Sequence, residues 1–340
     1  LHEFGGSIVS LELGKPLKSL VLAAGYGTRL RPLTDIIPKP LATVCGVSLL
    51  EAALFKVKQA GATAFAVNTH HLHDVLKAKL PEISSSLHLK DVFVSHECDA
   101  ILGTGGALVA LCSWWGDARL LVYNGDILSD MTLSHLTAHH ERRRPLVTMA
   151  VRPSPPKDGG RSVWVDRDGY VCAICQKQDL SSHLSRLTGP HQIVAQELRE
   201  FGFACAYIAE PGLLNFLPAK AEFYDLISGL QSAISHGQKI LSVNYEGFWA
   251  DVGTPQALWR ANLDVGQMTS HDRQAILGRD LSSSVFAKGP DNVVSALAKV
   301  DSMAHLKNTV LLDDARVEAS ERLTNHIRGF GLNQSFEPAL

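Results

Sequence analysis

Residues 20–40 carry the feature that most limits how this chain can fold. An apolar run, Leu20 to Ala24, reads as a buried strand, and it stops abruptly at Gly25-Tyr26-Gly27. Those glycines leave room for backbone to come close to a ligand and permit φ > 0. Arg29, Arg31 and Lys39 set cationic donors beside the loop. Bare amides with fixed cations make a cradle for a polyphosphate. Two better-known phosphate loops are excluded. The dinucleotide fingerprint needs Gly or Ala three residues after its second Gly, and position 30 is Leu. The P-loop needs a closing Gly-Lys-Ser/Thr, which occurs nowhere in the chain.

From Lys18 onward, strand and helix patterns alternate. Strands are expected at Leu20–Ala24, Ala64–Asn68, Val92–Ser95, Leu120–Tyr123 and Leu146–Val151. Helices are expected between them at Leu49–Ala60, His73–Leu80 (ended by Pro81), Gly106–Cys112 and Leu133–Arg143. This order predicts an α/β fold with a mainly parallel sheet flanked by helices. Ligands of such sheets bind beyond the carboxyl ends of the strands. Gly25, Asn68 and Asn124-Gly125-Asp126 all fall at such ends and are candidates for one cleft.

The middle of the chain changes character. Ser154–Gly160 is turn-rich, Ser162–Cys175 reads as a hairpin, and residues 176–194 read as a polar loop. Regular structure resumes with a strand at Phe201–Ile208, a helix at Asp225–Ser235, a strand at Ile240–Tyr245 and a helix at Pro255–Val265. The last helix has Thr254 as N-cap and Pro at its first position. We divide the chain into an N-terminal extension (1–17), a catalytic domain (18–265) and a C-terminal extension (266–340). In the extension Leu311, Val317 and Leu323 recur every six residues, the period of a left-handed β-helix coil. An irregular tail packed on the main domain is the alternative. A β-helical tail would offer a route to homo-oligomers.

Composition narrows the function class. A net charge of −2 over 340 residues advertises neither nucleic acid nor membrane, so any anion site must be local. No apolar run approaches a membrane span, and the first residues lack a charged segment before an apolar core. Six scattered cysteines argue for a reducing, cytoplasmic setting. Cys172 and Cys175 form a Cys-x-x-Cys without a second pair, which reads as two buried strand cysteines. His70-His71 and His139-His140 lack acidic or thiol neighbours at ligand spacing and read as loop or helix-surface residues.

The run Gly25, Gly27, Thr28, Arg29, Leu30, Pro32, Leu33, Thr34, Pro38, Lys39, Pro40 resembles the signature of the sugar-nucleotide pyrophosphorylases, a nucleotidyltransferase family. Two further stretches are similar to that family: Tyr123-Asn-Gly-Asp126 and Trp249-Ala-Asp251-Val-Gly-Thr-Pro255. The resemblance covers residues 18 to 265 and implies a Rossmann-like, GT-A-like fold. It implies that Asp126 and Asp251 hold Mg²⁺, an ion that takes one or two carboxylates and completes its octahedron with phosphates and water. It also implies attack by a sugar-1-phosphate on the α-phosphorus of a nucleoside triphosphate. Arg29 and Lys39 would be the catalytic cations, and Ala23, Ala24, Gly25, Gly27 and Thr28 nucleotide contacts.

Ser95-His-Glu97 followed by Leu102-Gly-Thr-Gly-Gly106 is similar to the mannose-1-phosphate guanylyltransferase branch. On that resemblance Glu97 would accept the two adjacent donors of guanine, and Gly103 and Thr104 would let the base lie against backbone. Asn124 and Gly202 would border the sugar phosphate. The family's Glu-Lys-Pro tripeptide is absent, which leaves Lys177 as the candidate sugar-phosphate lysine. Three alternatives stay open. They are uridylyl transfer to N-acetylmuramate-1-phosphate or another sugar-1-phosphate, a non-catalytic regulatory subunit that binds a sugar nucleotide, and cytidylyl transfer to choline phosphate.

Overall fold

The computed structural model describes residues 15–155, 160–185, 197–279, 285, 289 and 291–337. Most of the expected N-terminal extension, part of the turn-rich segment and the end of the expected polar loop lie outside the described residues.

The first apolar run forms β1, Leu17–Leu22. It pairs in parallel with β2 (Ala64–Thr69) on one side and β4 (Arg119–Asn124) on the other. β3 (Val92–His96) extends the sheet beyond β2, also in parallel. The run was expected to continue to Ala24. It ends at Leu22 because the Ala23 amide leaves the ladder and donates to Asn68 Oδ1 at 2.7 Å.

Helices α1 (Leu49–Gln59) and α2 (His73–Ser86) connect the parallel strands, and α3 (Gly103–Ala110) follows β3. Pro81 was expected to end α2, but the helix runs through it to Ser86. Its apolar stripe, Leu76, Leu80 and Ile83, stays buried past the proline, and Ser86 Oγ bonds Glu51 Oε1 at 3.0 Å. Tertiary packing outweighs the local penalty.

Beyond β4 come β5 (Ile127–Ser129), α4 (Leu133–Arg143) and β6 (Val147–Arg152). The expected hairpin is present as β7 (Ser162–Val165) and β8 (Val171–Cys175), with Cys172 and Cys175 both buried. The segment read as a loop from residue 176 instead turns helical at Lys177–Asp179 and Leu180–Leu184. Leu180 anchors it against Trp164 and Ala173.

The long β9 (Arg199–Ala209) lies antiparallel to β4, β6 and β7. Then follow α5 (Leu226–Ser235), β10 (Ile240–Asn244), β11 (Trp249–Asp251), α6 (Pro255–Gln267) and α7 (Ser270–Leu277). Thr254 caps α6 as expected, its Oγ1 accepting from Ala257 N at 3.1 Å.

Alternation along the strands sends successive side chains to opposite faces. Val21, Val67 and Leu121 join Leu50, Leu54, Leu76 and Leu136 on one side. Leu20, Ala66 and Leu120 join Leu108, Leu226 and Leu230 on the other. Truncating a fully buried leucine such as Leu50 or Leu120 to alanine would cost about 2–5 kcal/mol.

The C-terminal strands stack in coils. Val293 pairs in parallel with Val310, Lys299 with Arg316 and His305 with Arg322, each partner 17 residues further on. Val294, Leu311, Ala315, Val317 and Leu323 fill the inside. The six-residue recurrence is therefore the side period of a β-helix-like extension. Its last strand (Leu332–Ser335) turns back antiparallel, and Leu332 packs with Leu30 and Leu33 beneath the glycine loop.

Candidate active site

Strands β1, β2 and β4 run the same way, so the segments leaving them meet on one edge. A cavity opens there. Of the residues expected in the site, Ala23, Ala24, Gly25, Lys39, Glu97, Gly103, Thr104, Asn124 and Asp126 line it, as do Asn68 and Gly125, expected at the same strand ends. A Cβ on Gly25 would project into open space, so the loop offers bare backbone to the cavity. Gly27 has another job. It sits at φ 65°, and a Cβ there would lie 2.8 Å from Thr34 Cγ2. Thr28 and Arg29 are exposed beside the loop.

The two expected metal-binding aspartates, far apart in sequence, are brought together by backbone. β11 pairs antiparallel with β5, which sets Asp251 opposite Ile127, and the Val252 amide donates to Asp126 O at 3.0 Å. Lys39, almost wholly buried, reaches between them. Its Nζ is 2.5 Å from Asp126 Oδ2 and 3.7 Å from Asp251 Oδ1. Arg29 Nη2 stands 3.8 Å from Asp251 Oδ2, over Gly253, where a Cβ would come within 2.8 Å of it. Asp251 Oδ1 is secluded from solvent and makes no hydrogen bond. A buried carboxylate oxygen without a donor is costly unless a cation meets it. Two adjacent carboxylates facing a phosphate cradle suit a hard divalent ion.

Cys205, a half-buried thiol, lies beside this cluster. Burial pushes its pKa above the usual thiol range, Asp126 and Asp251 push the same way, and Arg152 and Lys39 oppose them.

Glu97 departs from expectation. It is 3% exposed, and both oxygens are engaged: Oε1 accepts from Asn68 Nδ2 and Oε2 from the Leu102 amide, each at 2.7 Å. With Ala23 N on Asn68 Oδ1, this makes one chain of bonds tying the glycine loop, β2 and the entry to α3. Glu97 therefore helps to build the cavity wall that it lines, one bond on each oxygen.

The glycines after it also serve packing. α3 begins at Gly103, earlier than expected. Cβ atoms on Gly103, Gly105 and Gly106 would lie 2.8, 2.9 and 2.0 Å from Tyr224 O, Tyr224 Cδ1 and Glu222 O. They make room for the 222–224 segment rather than for a flat ligand, although Gly103 and Thr104 still line the cavity.

Gly202 and Lys177 lie outside the cavity lining. Lys177 is exposed in the short turn after β8. Gly202 pairs with Arg152 at the end of β6. Sequence reasoning stopped that strand at Val151 and so passed over Arg152; a cation ending a strand on the ligand edge was the available signal.

The histidines are structural. His70 Nδ1 is 2.5 Å from Glu97 O and His71 Nε2 is 2.6 Å from Thr34 O. His140, expected on a helix surface, is buried against Thr148 Oγ1 (2.8 Å) and Glu210 Oε1 (3.2 Å).

A mannose-1-phosphate guanylyltransferase of Mycobacterium tuberculosis is 27% identical over 311 residues, covering 88% of this chain and 81% of the relative. A mannose-1-phosphate guanyltransferase beta-A of Xenopus laevis is 25% identical over 71% of this chain and 62% of its own length. A UTP–glucose-1-phosphate uridylyltransferase of Synechocystis is 25% identical over 72% and 62%. The match thus spans less than two thirds of the last two relatives. Among solved structures, a Bacillus anthracis protein assigned as a glucose-1-phosphate thymidylyltransferase, with sucrose bound, superposes with a TM-score of 0.56 at 18% identity. That match covers 72% of this chain and 94% of the other, and it shares the fold. The model of the nucleotidyl transferase family matches residues 18–268, well over half the chain, and on that match this protein belongs to the nucleotidyl transferase family.

Proposed function

We propose that this protein transfers a nucleoside monophosphate from a nucleoside triphosphate to a sugar-1-phosphate and releases pyrophosphate, with GTP and mannose-1-phosphate as the pair. The observation that carries the reading is the joint placement of Asp126, Asp251, Lys39 and Arg29 at the mouth of the glycine-loop cavity. The sugar-phosphate oxygen forms the new bond to the α-phosphorus as the bond to the β-phosphate oxygen breaks. That nucleophile is already ionised at neutral pH, so no general base is needed. Catalysis then rests on alignment and charge neutralisation.

The bare backbone at Gly25 receives the triphosphate, and Gly27 and Thr28 shape the turn that presents it. Arg29, exposed and only loosely held by Asp251, is free to turn onto the phosphates. Lys39 holds the two acids together and faces the transferred group. Asp126 and Asp251 would hold Mg²⁺, which would screen the phosphate charge. Asn124, at the end of β4, lines the acceptor side.

The guanine choice draws its support from the guanylyltransferases among the relatives. Uridylyl transfer is the second reading, favoured by the uridylyltransferase match and by the engaged carboxylate of Glu97. The test is pyrophosphate release from each of the four common nucleoside triphosphates with a panel of hexose-1-phosphates. The expected result is turnover with GTP and mannose-1-phosphate. Preference for UTP selects the second reading. Binding of a sugar nucleotide with no turnover of any pair would replace both with a regulatory role.

A further inference from the structure

We infer that Arg152 is the side chain that grips the phosphate of the sugar-1-phosphate; the inference deepens the proposed reaction and rests on it. β6 is antiparallel to β9, and β9 is antiparallel to β4. β6 therefore runs with β1 and β4, and Arg152 ends it on the edge where Leu22 and Asn124 end theirs. Its guanidinium carbon lies 4.1 Å from the centre of the Trp249 ring. Trp249 and Asp251 are two residues apart in β11, so their side chains leave the same face of that strand. The guanidinium is thus laid out beside the acid pair.

The platform under it is fixed. Trp249 Nε1 donates to Ala204 O at 3.1 Å, next to Cys205, whose φ of 62° interrupts the pairing of β9 with β6. On the other side lies Gly202. A Cβ there would stand 3.4 Å from Arg152 Cγ and 2.4 Å from Ser154 O, so the bare glycine lets the arginine stem lie along β9.

Arg152 is also the uncommitted cation of this corner. Lys39 is held by both aspartates and Arg29 stands by Asp251. The Arg152 side chain makes no hydrogen bond or ion pair among the described residues. Stacking occupies the face of a guanidinium and leaves its edge of N–H donors free. That edge matches two oxygens of a phosphate dianion in a bidentate grip. Neither Lys177 nor Arg152 lines the cavity itself, but Lys177 sits exposed in the turn after β8, whereas Arg152 is held over Trp249, two residues from Asp251.

The test compares Arg152→Gln, Arg152→Lys and Lys177→Gln with the parent in steady-state kinetics on the substrate pair the parent turns over. Arg152→Gln is expected to raise KM for the sugar-1-phosphate about 10- to 100-fold and to leave KM for the triphosphate within about twofold. Arg152→Lys keeps charge without the planar fork and should fall between, and Lys177→Gln should match the parent. Equal rises in both KM values, no rise for the sugar phosphate, or a larger rise in Lys177→Gln would overturn the assignment. Should Arg152→Gln not fold, Arg152→Lys decides: an unchanged sugar-phosphate KM overturns it. A parent that turns over no pair defeats the reaction itself, and calorimetric titration with mannose-1-phosphate then judges Arg152 separately. Binding at least about tenfold weaker in Arg152→Gln is expected. Equal binding, or none in the parent, overturns the inference.

Discussion

The two walls of the cleft hold their acids in opposite ways. On one wall Glu97 is buried and fully bonded, and its bonds run on through Asn68 to the glycine loop. On the other, Asp126 and Asp251 are half-open, Lys39 lies between them, and one aspartate oxygen has no donor. A buried carboxylate with a fold donor on each oxygen defines shape. One left wanting a cation is poised to receive one. The same functional group is therefore closed into the fold at 97 and left half-open at 126 and 251.

Removing the open acids breaks the comparison most directly. Asp126→Ala or Asp251→Ala is expected to lose on the order of 10² or more in turnover with little loss of melting temperature, as is Arg29→Ala. Near-parental turnover in any of them removes that residue from the reaction. The closed wall should answer the other way. Glu97→Gln turns an amide group toward the donors of Asn68 or Leu102, leaving at least one of them unmet. A stability loss of about 1–3 kcal/mol is expected in chemical denaturation, with the ranking of nucleotides unchanged. A switch between GTP and UTP would restore Glu97 as a base reader.

Lys56 sharpens the rule from a third position. Like Lys39 it is buried, but among the described residues its Nζ bonds only Ala275 O, at 3.3 Å. Burial pulls its pKa down to about 8, against the opposing pull of Asp130. Below pH 8 the lysine is charged both folded and unfolded, and folding bears the full cost of burying it. Between about 8 and the ordinary lysine value the unfolded chain keeps a proton the folded one has lost. Stability therefore rises with pH across that window. Lys56→Met should remove that rise and add about 1 kcal/mol near pH 7, allowing for the hydrogen bond it gives up. Denaturant midpoints measured from pH 7 to 10.5 check it; a rise of equal size in the variant would clear Lys56 of the cost.

The smallest expected effect lies beside the acids. Cys205→Gly relieves a left-handed φ, trading that gain against lost apolar burial, so a stability change of about 1 kcal/mol or less is expected. A larger fall would mean that the thiol itself holds the bulge under Trp249.

Local chemistry made much of the molecule readable in one dimension. Alternating patterns gave the α/β order, the glycine loop marked the edge where the cavity opens, and Thr254-Pro255 marked the start of α6. Each of these depends on neighbours in sequence, where periodicity, φ preference and capping act. Distant partners wrote the rest. Whether Glu97 faces a ligand or a neighbour turned on Asn68 and Leu102, the purpose of Gly105 and Gly106 turned on the 222–224 segment, and Pro81 was overruled by the core beneath α2. The corner formed by Arg152, Gly202 and Trp249 could not be read from spacing at all. It exists because β6, β9 and β11 come together only in the folded chain, and a side chain's role is set by what the fold leaves for it to bond.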